Sequence, residues 1–98
     1  MRIRYSAQAR NDLVDIIAYG NENFGTAQPG KYVAQIRNAI ELIGLNPEMA
    51  RQRMELKRPV RIHTVGSHMV IFDIEEAMVV IVRILSAGQN PPDHILTG

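Results

Sequence analysis

The sequence predicts an α+β protein: an N-terminal strand, an antiparallel pair of helices, then a three-stranded antiparallel meander. Two observations carry this. Apolar residues recur every three or four positions in the first half of the chain, the period of helices with one buried face. From residue 60 onward the pattern becomes short β-branched runs, VRIHTV, HMVIFDI and MVVIVRIL, separated by Gly66-Ser67 and Glu75-Glu76-Ala77.

The elements follow in order. RIRY at 2–5 alternates charged and apolar residues, as a strand with one buried face does. Ser6 is placed to cap a helix from Ala7 to Asn23, whose stripe is Ala9, Leu13, Ile16, Ile17 and Phe24. Asp12 and Asp15 lie in its early half, toward the positive end of the helix dipole. Gly25 can take the left-handed conformation that closes a helix. Thr26 can cap the next one, and Pro29 falls in its first turn, where its missing amide hydrogen leaves no bond unmade. The second stripe runs through Tyr32, Val33, Ile36, Ala39, Ile40, Ile43 and Leu45, and the helix ends near Asn46 because Pro47 follows. The meander spans 60–65, 68–74 and 78–85, and the tail SAGQNPPDHILTG is turn-rich.

Ninety-eight residues suit one two-layer domain covering 1–98, with 46% hydrophobic and 21% charged residues. No apolar run is long enough to cross a bilayer as a helix. The absence of cysteine and of a leader-like N-terminus points to a cytoplasmic protein. Formal net charge is only +1, but Arg51, Arg53, Lys57, Arg58 and Arg61 cluster against the single acid Glu55, giving the molecule a basic side.

Pairing through a two-residue Gly66-Ser67 turn sets Val65 opposite His68, His63 opposite Val70 and Arg61 opposite Phe72. An even second loop sets Ile74 opposite Val79, Phe72 opposite Ile81 and Val70 opposite Arg83. One sheet face then carries Val60, Ile62, Thr64, Met69, Ile71, Val80, Val82 and Ile84, and suits packing under the helices. The other carries Val70, Phe72, Ile74, Val79, Ile81 and Leu85, rimmed by Arg61, His63, His68 and Arg83. An apolar patch with a polar rim marks a partner site, so these ten residues are the candidate partner-binding surface. Arg83 has a second possible place, paired in the core with Asp12, Asp15 or Asp73.

The chemistry-bearing motifs are few. His63, His68 and His94 have no metal-ligand spacing, and there is no phosphate-binding glycine loop, so neither a metal nor another cofactor is expected. The one constellation with catalytic potential is Arg61, His63, His68 and Arg83, which could hold a phosphodiester and move a proton.

The ordered motifs YSAQARNDLVDIIAY at 5–19, FGTA at 24–27, NP at 46–47, VGSHMVIF at 65–72 and VVIVRIL at 79–85 resemble the ParE branch of the RelE/ParE toxin superfamily over nearly the whole chain. The resemblance implies a RelE/ParE-like two-layer fold and the toxin role in a type II toxin–antitoxin module. The implied partners are a ParD-like antitoxin, which folds as it binds, and DNA gyrase as target. Sequence-specific DNA binding by this chain is not implied. Where the family often has histidine after the last strand this chain has Ser86, and His68 stands where an aromatic is common. The tail lacks the tyrosine of the messenger-RNA-cutting members, which favours a binding inhibitor over an enzyme. The alternatives are a ribosome-dependent mRNA endoribonuclease (an mRNA interferase of RelE type) and a non-toxic antitoxin-binding scaffold.

Overall fold

A computed structural model describes residues 1–24, 27–50, 52–53 and 60–86. The order is β1 (Arg2–Tyr5), α1 (Ala7–Phe24), α2 (Ala27–Leu45), a 3-10 turn (Pro47–Met49), β2 (Gln52–Arg53), β3 (Val60–Val65), β4 (His68–Glu75) and β5 (Met78–Ser86). Among the described residues the sheet has the order β1-β5-β4-β3-β2. The α+β class, the helix pair and the meander match the sequence reading. The capping roles of Gly25 and Thr26, most of the basic connection, His94 and the tail lie outside the described residues. β2 was not foreseen, because two residues carry no periodicity; they pair antiparallel with Val60 and Arg61.

Ser6 caps α1 as its position predicts: its Oγ accepts from the Ala9 amide at 2.9 Å. The same Oγ donates to the Val82 carbonyl at 2.7 Å, and the Ser6 amide donates to the Ile81 carbonyl at 2.9 Å. One serine thus starts the helix and fastens it to β5. β1 lies parallel to β5, from Arg2 beside Met78 to Tyr5 beside Ile81.

Both hairpin turns have two residues. Gly66 has φ +56° and meets the need of a type II′ turn for glycine at its first central position. The second turn places Glu76 (φ 50°) and Ala77 (φ 62°) in the left-handed region, where a side chain costs about 1 kcal/mol per residue. The predicted pairs Val65–His68, His63–Val70, Arg61–Phe72, Ile74–Val79 and Phe72–Ile81 are all present.

The pairing of Val70 with Arg83 is overturned. A bulge between Ile71 and Phe72 in the β4–β5 ladder lets β5 gain one residue, so Arg83 lies opposite Ile71 and Ile84 opposite Val70. Ile84 moves to the face predicted for Leu85, and Leu85 to the face predicted for Ile84.

The larger correction concerns which face the helices cover. Val70, Phe72, Val79 and Ile81, predicted to lie on an open groove, have no exposed surface and pack with Ala9, Leu13, Ile36, Ile40 and Ile43. They are the core. Val60, Ile71, Val82 and Leu85 form a second buried cluster on the opposite face, with Ile62 and Met69 against it. The polar residues Arg61, His63 and His68 made the first face look unsuitable for helices. They lie at its margin, on β3 and at the hairpin end of β4, where Arg61 and His68 find partners in the chain rather than water alone.

Candidate functional site

The polar centre of the molecule is built where β1 stops. β5 continues past Ile81 to Ser86, so its edge from Val82 onward has no β1 residue beside it. The first turns of α1 fill that gap. Asp12 Oδ2 accepts from the Ile84 amide at 2.9 Å, taking the place of a strand partner. The same carboxylate receives both arms of Arg83, Nε at 2.8 Å and Nη2 at 2.9 Å. The side chains are 19% and 11% exposed, so this bidentate pair is largely shielded from water. The Arg83 guanidinium is held above its ordinary pKa, chiefly by the hydrogen bonds it donates to Asp12, with burial opposing.

A second node joins α2 to the β3–β4 turn. The Tyr32 hydroxyl accepts from the Ser67 amide at 2.9 Å, lies 2.6 Å from His68 Nδ1 and stands 3.3 Å from the Val65 carbonyl. With neutral His68 accepting at Nδ1, the hydroxyl donates to the ring. Burial pushes the His68 imidazole below its ordinary pKa, and the Asp12 carboxylate partly offsets this. The ring of Tyr32 lies so close to Gly66 that a Cβ there would stand 2.8 Å from Cε1. The turn therefore requires glycine for its space as well as its φ.

The ten candidate residues separate into unlike groups. Arg61 is half-buried, and its Nη1 donates to the Ala50 carbonyl at 2.6 Å. His63 is half-buried on β3 and His68 is engaged with Tyr32. Val70, Phe72, Val79 and Ile81 are core, Ile74 is half-buried, and Leu85 belongs to the cluster on the other face. Arg61 and Arg83 stand on strands separated by β4, which sets their backbones about 10 Å apart. Each guanidinium is committed to a protein oxygen, so the two do not converge on one phosphate. Among the described residues no group of three histidine, aspartate or glutamate side chains is placed to hold a metal, and no helix is long and apolar enough to cross a membrane.

A family model described as the ParE toxin of the type II toxin–antitoxin system parDE matches residues 3–91. The chain belongs to this family. It is 30% identical over 92 residues to toxin ParE1 of Caulobacter vibrioides, a match covering 94% of this chain and 95% of the relative. Its fold is also that of a chain from the chromosomal ParDE system of P. aeruginosa, with a TM-score of 0.77 at 20% identity, covering 88% of this chain and 95% of that one. The family match spans both polar nodes, from Asp12 to Arg83.

Two residues of these nodes do more than their sequence pattern shows. In the sequence Tyr32 falls within an apolar stripe, although a tyrosine hydroxyl near a core requires a partner, and that requirement is the available signal. Asp12 was read mainly as a helix-dipole residue; its pairing with Arg83 was one of three possibilities the spacing left open.

Proposed function

We propose that this chain is the toxin of a type II toxin–antitoxin module, arresting growth in the cytoplasm by binding DNA gyrase and silenced by a ParD-like antitoxin. The observation that carries this reading is the ParE family match across residues 3–91. The site geometry supports binding over phosphodiester cleavage. A ribonuclease needs a guanidinium free to meet the charge that develops on the phosphate, and Arg61 and Arg83 already serve the Ala50 carbonyl and the Asp12 carboxylate.

Induced expression in a bacterial host, together with a supercoiling assay using purified gyrase, tests the reading. The expected result is loss of supercoiling, filamentation and a DNA-damage response, all relieved by co-expressing the antitoxin. Codon-specific messenger cleavage with gyrase unaffected would establish the nuclease alternative. Antitoxin binding without growth arrest would establish the scaffold.

A further inference from the structure

We infer that Tyr32, His68, Asp12 and Arg83 work as one proton-linked switch. Asp12 is the shared counter-ion of Arg83 and His68, and the Tyr32 hydroxyl reverses its hydrogen bond when His68 takes up a proton.

The register of β4 against β5 brings the two polar nodes together. His68 lies opposite Ser86 and Val70 opposite Ile84, so the residue whose amide donates to Asp12 is the diagonal neighbour of His68 across the ladder. Such neighbours stand about 7–8 Å apart. α1 crosses the edge of β5 here to deliver Asp12, and α2 delivers Tyr32 to the same end of β4. The charged or titratable groups that surround His68 are Asp12 from α1, Tyr32 from α2, His63 on the same face of β3 and, beyond Asp12, Arg83 on β5. Asp12 is the acid among them, and its field favours the imidazolium that burial disfavours.

The hydroxyl is the bistable part. It accepts from the Ser67 amide at 2.9 Å and has one proton to give, for which two acceptors compete: His68 Nδ1 at 2.6 Å and the Val65 carbonyl at 3.3 Å. A neutral imidazole takes the proton at Nδ1. An imidazolium carries its own N–H there, donates it to the hydroxyl oxygen and turns the hydroxyl proton to Val65. Both arrangements keep the Ser67 amide bonded, and the exchange needs a rotation of the O–H rather than a displacement of either ring.

Charge supplies the coupling. With His68 neutral, Arg83 alone balances Asp12. With His68 protonated, one carboxylate faces two cations in a place where its side chain is 11% exposed and salt screens weakly. The coupling runs both ways. A proton on His68 weakens the claim of Asp12 on Arg83, and an anion that draws Arg83 away leaves a carboxylate that His68 balances by taking up a proton. Because Asp12 also holds the Ile84 amide, the state of His68 reaches the junction between α1 and β5.

The test is an NMR titration of the full chain that follows the His68 ring protons and the Val65 carbonyl carbon. At pH 6.5 the ratio of protonated to neutral His68 should rise about tenfold in Arg83→Gln, fall by about the same factor in Asp12→Asn and return close to the parent value in Arg83→Lys, which keeps the charge. The Val65 carbonyl should shift with the same midpoint as the His68 ring in the parent and lose that response in Tyr32→Phe. Asp12→Asn keeps an oxygen for the Ile84 amide, so it reads the coupling even where Arg83→Gln does not fold. A His68 ratio that stays at the parent value in folded Asp12→Asn overturns the shared counter-ion. A Val65 carbonyl that does not follow His68 in the parent overturns the hydroxyl reversal.

Discussion

Arg83 on β5 and the pair Arg2 and Arg4 on β1 belong to adjacent strands of one sheet, yet they have opposite surroundings. Arg83 is held through two hydrogen bonds by a carboxylate that is itself largely buried. Arg2 and Arg4 stand in solvent with no partner among the described residues. Residue type does not make the difference, and neither does strand position. β1 ends at Tyr5, α1 starts at Ala7, and its second turn carries Asp12 across the edge of β5 that β1 has left uncovered. Beside β1, α2 packs Gly44 against Ile3 and accepts the Met1 ammonium at the Gly44 carbonyl, but among the described residues it brings no carboxylate to Arg2 or Arg4. In this sheet an arginine is architectural where a helix brings a carboxylate to it and exposed where none does.

The comparison can be broken most severely from below, by attacking the core that holds both strands. Ile81 has no exposed surface and packs beneath α1 and α2. Ile81→Asp should unfold the protein outright, since an unpaired charge there exceeds the 5–15 kcal/mol that holds a typical domain together or consumes most of it. Circular dichroism showing a folded Ile81→Asp variant would return this face to the role of an open groove.

Arg83→Ala is the next largest change. It leaves Asp12 buried with only the Ile84 amide, and should cost about 3 kcal/mol. A denaturant titration measures it. A cost near that of a surface substitution would place Arg83 in the same class as Arg2 and Arg4.

The second turn offers a gain. Replacing Glu76 and Ala77 by Asn and Gly removes side-chain strain at two left-handed positions and should stabilise the fold by about 1 kcal/mol. The rise in thermal midpoint would leave both arginine environments untouched, which makes this variant a control for the others.

Acid should act through His68. Its folded pKa lies below the unfolded value of 6.5, so the unfolded chain binds the proton more readily. Stability from this group is fully present above pH 6.5 and is lost as pH falls from there through the folded pKa. Protonation also removes the Nδ1 acceptor, so Tyr32 must turn its proton toward the Val65 carbonyl. Unfolding followed from pH 8 to pH 5 should show the decline, and His68→Asn, which keeps an acceptor near that position without titrating, should flatten it. An unchanged profile in His68→Asn would assign the acid sensitivity elsewhere.

The smallest effect on stability belongs to Arg2 and Arg4. Their replacement by alanine should change folding stability by no more than about 0.5 kcal/mol. A loss comparable with that of Arg83→Ala would erase the contrast between the two sites and show that the β1 arginines are part of the fold.

Local signals were enough for the elements. Helical period, the Ser6 cap, Pro47 after the second stripe and the Gly66-Ser67 turn each act within a few residues, and the register of β3 against β4 follows from the length of that turn. The same locality explains the misplaced Arg83. A bulge changes which residue faces which by adding one position, and nothing in VVIVRIL announces where the addition falls. The choice of covered face lay beyond the sequence for a related reason. Both faces of the meander are apolar, so alternation separates them into two sets without saying which set meets the helices. That was decided by three-dimensional pairing: Tyr32 reaching His68 and Ser67, and Asp12 reaching Arg83 and Ile84. These contacts join residues 35 to 72 positions apart, and they let a face with a polar margin serve as the core. The sequence by itself determined the elements and the alternating sets of side chains. Only the tertiary structure decided which set was buried, because burial of a polar margin depends on partners that lie far away along the chain.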